Sequence, residues 1–136
     1  MREIKFRAWR IDDKKMYLPF NLLDELNDTE GHFPQDTVLM QYTGLHDKNG
    51  IEIYEGDILR IKAENGKWNI LVVKYGIARR EMKSGWTVDI PSFYFDLVGA
   101  DFKAFPIVKN YKGKHDLTML EVIGDIYSNP ELLKED

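Results

Sequence analysis

Two Asn-Gly pairs, each beside apolar segments, limit what this chain can fold into more than any other feature of its sequence. Asn49 and Gly50 lie near the middle of the chain, and Asn65 and Gly66 follow the alternating apolar pattern of residues 57–63. Because both residue types tolerate a positive φ, an Asn-Gly pair between apolar segments predicts a tight β-hairpin. Two such hairpins in one small chain indicate an antiparallel meander.

The remaining pattern is also that of a mainly β protein with minor short helices. Residues 2–9 alternate polar and apolar as a first strand, and residues 16–18 suit a return strand that ends at Pro19. Residues 68–75 are apolar at both odd and even positions, as in a central strand covered on both faces. Later strands are predicted over residues 86–90, 92–98 and 119–127, with a basic connection over residues 76–85. Seven Tyr, seven Phe and three Trp favour this class, because aromatic side chains suit pleated strands.

The chain is predicted to form a single domain over residues 1–136, since this length suits one hydrophobic core. Residues 19–36 are expected to form an acidic excursion with a loop and a short helix. Residues 128–134 are expected to form a short C-terminal helix, with Asn129 as N-cap and Pro130 at the first helical position.

Turn chemistry accounts for most of the glycines and for the acidic residues beside them. Glu55 and Asp57 flank Gly56 and could be taken for a catalytic pair of carboxylates. No histidine stands at a suitable spacing, and an Asp between two strands more often accepts backbone N–H groups. We therefore predict structural turn roles for Gly44, Asn49, Gly50, Gly56, Asp57, Asn65, Gly66 and Gly124.

Charge and cysteine content exclude several classes of protein. The chain has no cysteine, which rules out disulfides and thiolate metal sites and fits a cytoplasmic protein, as does the lack of a signal peptide or an apolar span. Its net charge of −4 is the wrong sign for non-specific nucleic-acid binding. Residues 16–47 hold six acidic residues and no Lys or Arg, so the rest of the chain carries +2. A local basic face is therefore compatible with the sequence.

Motifs that would carry chemistry are not found. Neither phosphate-binding glycine pattern matches, no serine has a nucleophile-elbow context, and the three histidines are isolated. We predict no catalytic, cofactor-binding or metal-binding residues, and no cofactor. Aromatic residues beside cations form a candidate interaction surface, although such rings more often belong to a core or an oligomer interface. The residues of this surface are Trp9, Arg79, Arg80, Trp86, Tyr111, Lys112 and Lys114.

Three separated segments together resemble the YopX family of phage and prophage proteins. They are residues 1–9 with 14–16, residues 39–45 with 47–58, and residues 121–133. The resemblance implies a mainly β domain with an SH3-like barrel portion, a phage-linked setting and a tendency to self-associate. It implies no assigned activity or ligand residues. Arg10 departs from the family pattern, which usually has an acidic residue there.

Three hypotheses for function follow. The leading one is a non-enzymatic phage or prophage accessory protein in the host cytoplasm, which forms a homo-oligomer or docks on a host or phage protein, without a membrane partner. The alternative is a nucleic-acid-binding module that uses basic loops at residues 79–83 and 109–115. The third is a small-molecule binder or enzyme whose site is built from residues far apart in the sequence.

Overall fold

A computed structural model of the chain describes residues 4–20, 37–100, 103–104 and 119–133. A 3-10 helix spans Pro130–Leu133. The strands are β1 (Phe6–Arg10), β2 (Lys15–Phe20), β3 (Thr37–His46), β4 (Glu52–Tyr54), β5 (Asp57–Lys62), β6 (Trp68–Glu81), β7 (Thr87–Leu97), β8 (Lys103–Ala104) and β9 (Glu121–Asp125).

The described strands form two antiparallel sheets. The first has the order β2-β1-β3-β4 and the second the order β8-β7-β6-β5-β9. The predicted class, mainly β with antiparallel pairing, is confirmed, and the barrel portion is present as a sheet curled into a half-barrel. Side chains from both sheets share a core, whose buried members are Ile53, Leu59, Leu71, Val73, Phe95 and Leu120.

Gly56 is the point at which the chain passes from the first sheet to the second. It separates β4 from β5 and has a φ of +87°, in the left-handed region that favours glycine. A Cβ at this position would lie 3.0 Å from the Sδ atom of Met40. The conformation therefore favours glycine, and a larger residue would also require the Met40 side chain to shift.

Three hairpin turns among the described residues have the same geometry. In the first, Asp47 N donates to Ile51 O at 2.8 Å and Gly50 N donates to Asp47 O at 3.0 Å. The equivalent glycines of the other two are Gly66 and Gly85, and all three have φ between +80° and +90°. Positive φ is confined to the glycine of each turn, so the turn is a three-residue loop ending in a left-handed glycine and not a two-residue Asn-Gly reversal.

The predicted basic connection over residues 76–85 is wrong, because β6 continues to Glu81. From Leu71↔Leu97 to Glu81↔Thr87, β6 and β7 pair without interruption. The ring of Tyr94 lies over Gly76, where a Cβ would be only 2.7 Å from Tyr94 Cε1. Gly76 thus makes room for a cross-strand aromatic ring inside a strand and does not end it.

The boundaries of several other predicted elements shift. The strands expected over 86–90 and 92–98 are one strand, β7. β2 continues past Pro19, which an edge strand tolerates. Gly124 lies inside β9, beside a register shift in the pairing with β5, and Gly44 lies inside β3. Most of the predicted acidic excursion, residues 21–36, falls outside the described residues.

Replacement of Gly50 by Val should lower the free energy of unfolding by about 1–3 kcal/mol. No atom lies within 4 Å of a Cβ built at Gly50, so the cost arises from the φ of +80° alone. Urea denaturation measures it. Gly50→Asn is the matched control, because Asn tolerates this region and should cost less. An unchanged midpoint for Gly50→Val would contradict the turn assignment.

Candidate interaction surface

The carboxylate of Asp57 joins the two sheets. Arg7 of β1 donates from Nη2 to Asp57 Oδ1 at 2.6 Å, and the backbone N–H of Tyr54 donates to Oδ2 at 2.7 Å. The guanidinium of Arg7 also lies 4.8 Å from the centroid of the Tyr54 ring. Asp57 is only 1% exposed. The Arg7 guanidinium of the first sheet therefore holds Asp57, the first residue of β5, in the second sheet.

Burial dominates the protonation of Asp57. Desolvation raises the pKa of its carboxyl to about 6, against the opposing effects of the Arg7 charge and the Tyr54 N–H, and nearby Asp125 raises it further. The Nε of Arg7 is buried without a hydrogen-bond acceptor among the described residues. Removing either Arg7 or Asp57 would leave the other charge buried without its partner, which would lower the free energy of unfolding substantially.

Asp47 stabilises the neighbouring turn in a similar way, with backbone partners only. Its Oδ1 accepts hydrogen bonds from the N–H groups of Asn49 and Ile51, and its Oδ2 accepts one from Val122 of β9 at 2.9 Å. Burial alone would raise the pKa of Asp47, but these three hydrogen bonds outweigh it and hold the pKa below its ordinary value. The first Asn-Gly turn is thereby fastened to the last strand.

The Gly56 turn also fixes the place where a long hairpin extends from the second sheet. Gly56 N donates to Val73 O at 2.9 Å, next to the Ile58↔Val72 pair of the β5–β6 ladder. Past Val73, the described part of β6 pairs with β7 alone, and β8 pairs with β7 only at Phe95 and Asp96. Residues 74–94 therefore form a two-stranded ribbon, here called the arm.

The arm exposes large apolar side chains. Trp86 at its tip is 74% exposed, Ile77 is 67% exposed and Tyr75 is 51% exposed. Met82 and Val88 are also exposed. Removing such side chains from water is favourable by roughly 25 cal/mol per Å². The arm is thus the described region with the most to gain from covering by another surface.

A groove lies at the base of the arm. It has a volume of about 280 Å³ and is lined by residues of both sheets, including Leu39, Met40, Glu55, Gly56, Lys74 and Tyr94. A second open groove of about 430 Å³ adjoins it and shares Val72, Lys74 and Ile126 with it. Lys74 between them is paired with Asp96 at 2.7 Å. The lining of the first groove is mainly apolar and includes the charged residues Glu55 and Lys74.

Only part of the predicted interaction surface is brought together. Arg79 and Trp86 share the arm, and the backbone of Arg80 follows in β6. Trp9 is 9% exposed and stacks on Tyr127 with ring centroids 5.9 Å apart, so it belongs to the interior and not to a surface. The other predicted residues, Tyr111, Lys112 and Lys114, fall outside the described residues, as does the basic loop at 109–115.

Arg79 is compensated by an acidic partner across the ribbon. Its Nε lies 2.9 Å from Asp89 Oδ1, and its Nη2 lies 3.3 Å from Asp89 Oδ2. Residues 79–81 are also strand and not loop. The predicted basic loop at 79–83 is therefore the distal end of the arm, with its first cation already paired.

Sequence reasoning missed the other apolar side chains of the arm, Tyr75, Ile77, Met82 and Val88. The signal that could have found them is the Ser84-Gly85 pair, which stands between two segments of strand character. The Ser84-Gly85 pair forms the hairpin turn of the arm, as the Asn-Gly pairs form the other two turns.

The described residues hold neither a metal cluster nor a membrane-spanning helix. Within them, no three His, Asp or Glu side chains are grouped as a metal ion would need. No helix in the same part of the chain is long and apolar enough to cross a bilayer.

Comparison with known protein families decides the relationship that the three sequence segments indicated. The family model described as "YopX protein" matches residues 21–134, which is most of the chain. The chain belongs to the YopX family. Its two-sheet fold with the curled half-barrel is therefore an example of the structure adopted by a YopX protein.

A solved structure resembles this YopX chain over nearly its whole length. It is the crystal structure of protein EF1440 from Enterococcus faecalis, with 25% sequence identity and a TM-score of 0.57. The similarity covers 98% of this chain and 100% of that one. A comparison with curated proteins finds no match.

Replacement of Arg7 by Met should lower the free energy of unfolding at neutral pH by about 3 kcal/mol, because it leaves Asp57 buried without its cation. The matched control is Lys74→Met, which breaks an ion pair with Asp96 at a largely exposed site and should change stability by less than about 1 kcal/mol. Urea denaturation of both variants gives the comparison. Equal effects would contradict the structural role of the Arg7–Asp57 pair.

The stability should also depend on the protonation of Asp57. An unfolded Asp has a pKa of about 3.9, whereas the pKa of Asp57 is raised to about 6. At pH values between these two pKa values, the native state therefore binds a proton that the unfolded chain lacks. The stability that this proton provides is lost as pH rises through the pKa of the folded state. The free energy of unfolding should fall by about 3 kcal/mol from this group as pH rises across the window.

Urea denaturation at several pH values, with NMR titration of the Asp57 carboxyl carbon, measures this dependence. Asp57→Asn should lack the component. Asp47 does not interfere within the window, since its lowered pKa confines its own effect to more acidic conditions. A carboxyl midpoint for Asp57 near that of an exposed Asp would refute the expectation.

Proposed function

We propose that this YopX protein acts without catalysing a reaction, as a phage or prophage accessory protein in the host cytoplasm that assembles with itself or docks on a phage or host protein. The single observation that carries the proposal is the exposure of the arm. A two-stranded ribbon gains little stability on its own in water. Large apolar side chains along such a ribbon are expected where another surface covers them.

The groove strengthens the proposal, because it lies beside the arm and gives the same region a concave partner site. A mainly apolar lining with a few charged groups suits a side chain of another protein. Family membership agrees with an accessory role in a phage-linked setting, as the resemblance implied.

The nucleic-acid alternative has less support than the sequence indicated. Binding single strands without sequence preference needs cations free to contact phosphates beside aromatic rings. Arg79 has Asp89 as its partner, and Trp9 is buried. The small-molecule alternative has no convergent set of polar groups in either described groove to support it.

Light scattering coupled to size exclusion over a wide range of concentrations tests the proposal. The expected result is a mass that exceeds 16.0 kDa as concentration rises, or a protein partner whose binding is lost in Trp86→Ser. The measurements use all 136 residues of the chain. Thermal unfolding verifies that the variant folds. A monomer at every concentration, with no partner that depends on Trp86, would overturn the proposal.

A further inference from the structure

Within the described part of the chain, β6 past Val73 has a neighbouring strand on one side only. Val98 N donates a hydrogen bond to Ile70 O at 2.9 Å, so the even-numbered residues of β6 direct their backbone groups towards β7. Gly56 N donates to Val73 O on the opposite side, also at 2.9 Å. Because backbone groups alternate in direction along an antiparallel strand, those of the odd-numbered residues past Val73 point away from β7.

These outward backbone groups form an edge on which another strand could pair. The residues concerned are Tyr75, Ile77, Arg79 and Glu81, all of them exposed. They present four N–H donors and four C=O acceptors over about 20 Å of extended chain, at ~3.3 Å per residue. A row of unpaired backbone groups at the edge of a sheet is a template for an added strand. We call this row the open edge.

The other edge of the arm is interrupted. Pro91 lies opposite Ile77 in the ladder, so its backbone also points away from the partner strand, on the side of β7. Proline has no N–H to donate, and its presence at an edge discourages a further strand. No proline occurs from residue 74 to residue 81. An added strand is therefore favoured at the open edge of β6 over the edge of β7.

The side chains at the open edge indicate which strand would fit. Val73 is a core residue, and side chains alternate between the two faces of a strand, so Tyr75 and Ile77 lie on the face that continues from the core. Tyr75 is 51% exposed and Ile77 is 67% exposed. Apolar side chains of an added strand would lie next to them on this face and remove them from water.

The charge of β6 favours carboxylates on the opposite face. Lys74 lies on that face, with its side chain 49% exposed. Residues 74–83 hold four cations and one carboxylate, whereas residues 86–96 hold two carboxylates and no cation. The β6 side of the arm therefore keeps an excess of positive charge even after its two ion pairs with β7. Opposite charges on neighbouring strands stabilise their pairing.

The groove lies at the inner end of the open edge. Lys74 and Tyr75 line it on the side of β6, and Leu39 and Met40 line it on the side of β3. A strand antiparallel to β6 would run from the tip of the arm towards its base and end at this groove. Its last side chain would then reach the mainly apolar space of about 280 Å³.

We propose that the open edge of the arm binds an extended segment of a phage or host protein as an added antiparallel strand, in which apolar residues alternate with acidic ones. This inference rests on the proposed docking function and specifies the chemistry of the partner and its place on the arm. Main-chain hydrogen bonds hold the segment, and its apolar side chains cover Tyr75 and Ile77. Met82 and Trp86 lie beyond the end of the edge, where the rest of the partner covers them.

Amide hydrogen exchange, followed by NMR on the full chain, tests the added strand. In the free protein, the four amides of the open edge should exchange faster than those of the residues between them, which bond to β7. The probe is a synthetic peptide as long as residues 75–81, in which Val alternates with Glu. At about 1 mM it should slow exchange at the four outward amides. Contact through side chains alone would not give this alternation.

Ile77→Pro tests the edge from the side of the protein. It removes one outward N–H, as Pro91 does on the other edge, and breaks no hydrogen bond to β7. Peptide binding should weaken by at least about tenfold. The matched control is Ile77→Val, which keeps the N–H and a β-branched apolar side chain and should change binding by less than about twofold. Thermal unfolding verifies that both variants fold.

N-methylation of the peptide makes the same test on the unaltered protein. Methyl groups on the alternate nitrogen atoms that face β6 should abolish binding. Methyl groups on the remaining nitrogen atoms should change it by less than about threefold. A peptide with Lys in place of Glu should bind at least about threefold more weakly, because it loses the charge complementarity.

Any of three results would overturn the added strand. The first is slow exchange of the four outward amides in the free protein at every concentration, since the edge would already be paired. The second is peptide binding that ignores N-methylation or is absent at about 1 mM. The third is protection that rises with protein concentration, which would assign the edge to a second copy. The proposed function would survive each of them, because it fails only for a monomer without a partner that depends on Trp86.

Discussion

The buried carboxylate of Asp57 is the contact on which the rest of the structure depends. It receives a hydrogen bond from Arg7 in the first sheet and one from the backbone of Tyr54, directly before the turn that leads to the second. Because an ionised group without partners is costly in the interior, these donors can satisfy it only in one arrangement of the two sheets. The pair therefore fixes the orientation of the sheets, and hydrophobic contact alone would fix it less strictly.

The position of the Gly56 turn follows from this contact, and the arm follows from the turn. Gly56 bonds to Val73 on one side, and its carbonyl accepts the N–H of Ile126 on the other. These two hydrogen bonds close the second sheet around the turn just where the ribbon of residues 74–94 extends beyond it. The groove is the space left between the turn, the arm base and Met40. A polar contact in the interior thus determines the shape of the surface for which we propose a role in assembly.

The parts of the fold that the sequence revealed are those governed by neighbouring residues. The Asn-Gly turns at Gly50 and Gly66 were found because a left-handed glycine after a polar residue is a local signal. The equivalent turn at Gly85 was missed, since Gly76 looked like a break in the strand. Its true role depends on the ring of Tyr94 across the ribbon, and that pairing is not visible along the chain. For the same reason, strands were predicted on either side of Pro91, whereas Pro91 lies within the single strand β7.

The candidate surface separates more clearly the features that sequence patterns reveal from those that depend on tertiary packing. Trp9 and Trp86 both stand near cations in the sequence, yet one stacks on Tyr127 in the interior and the other is at the exposed tip of the arm. The sequence by itself determined the β class, three of the hairpins and the resemblance to the YopX family, because each rests on short-range pattern. Only the tertiary structure decided which aromatic rings face solvent and that Asp57 pairs with Arg7. Burial is set by residues far apart in the chain, and their contacts exist only after the sheets have packed.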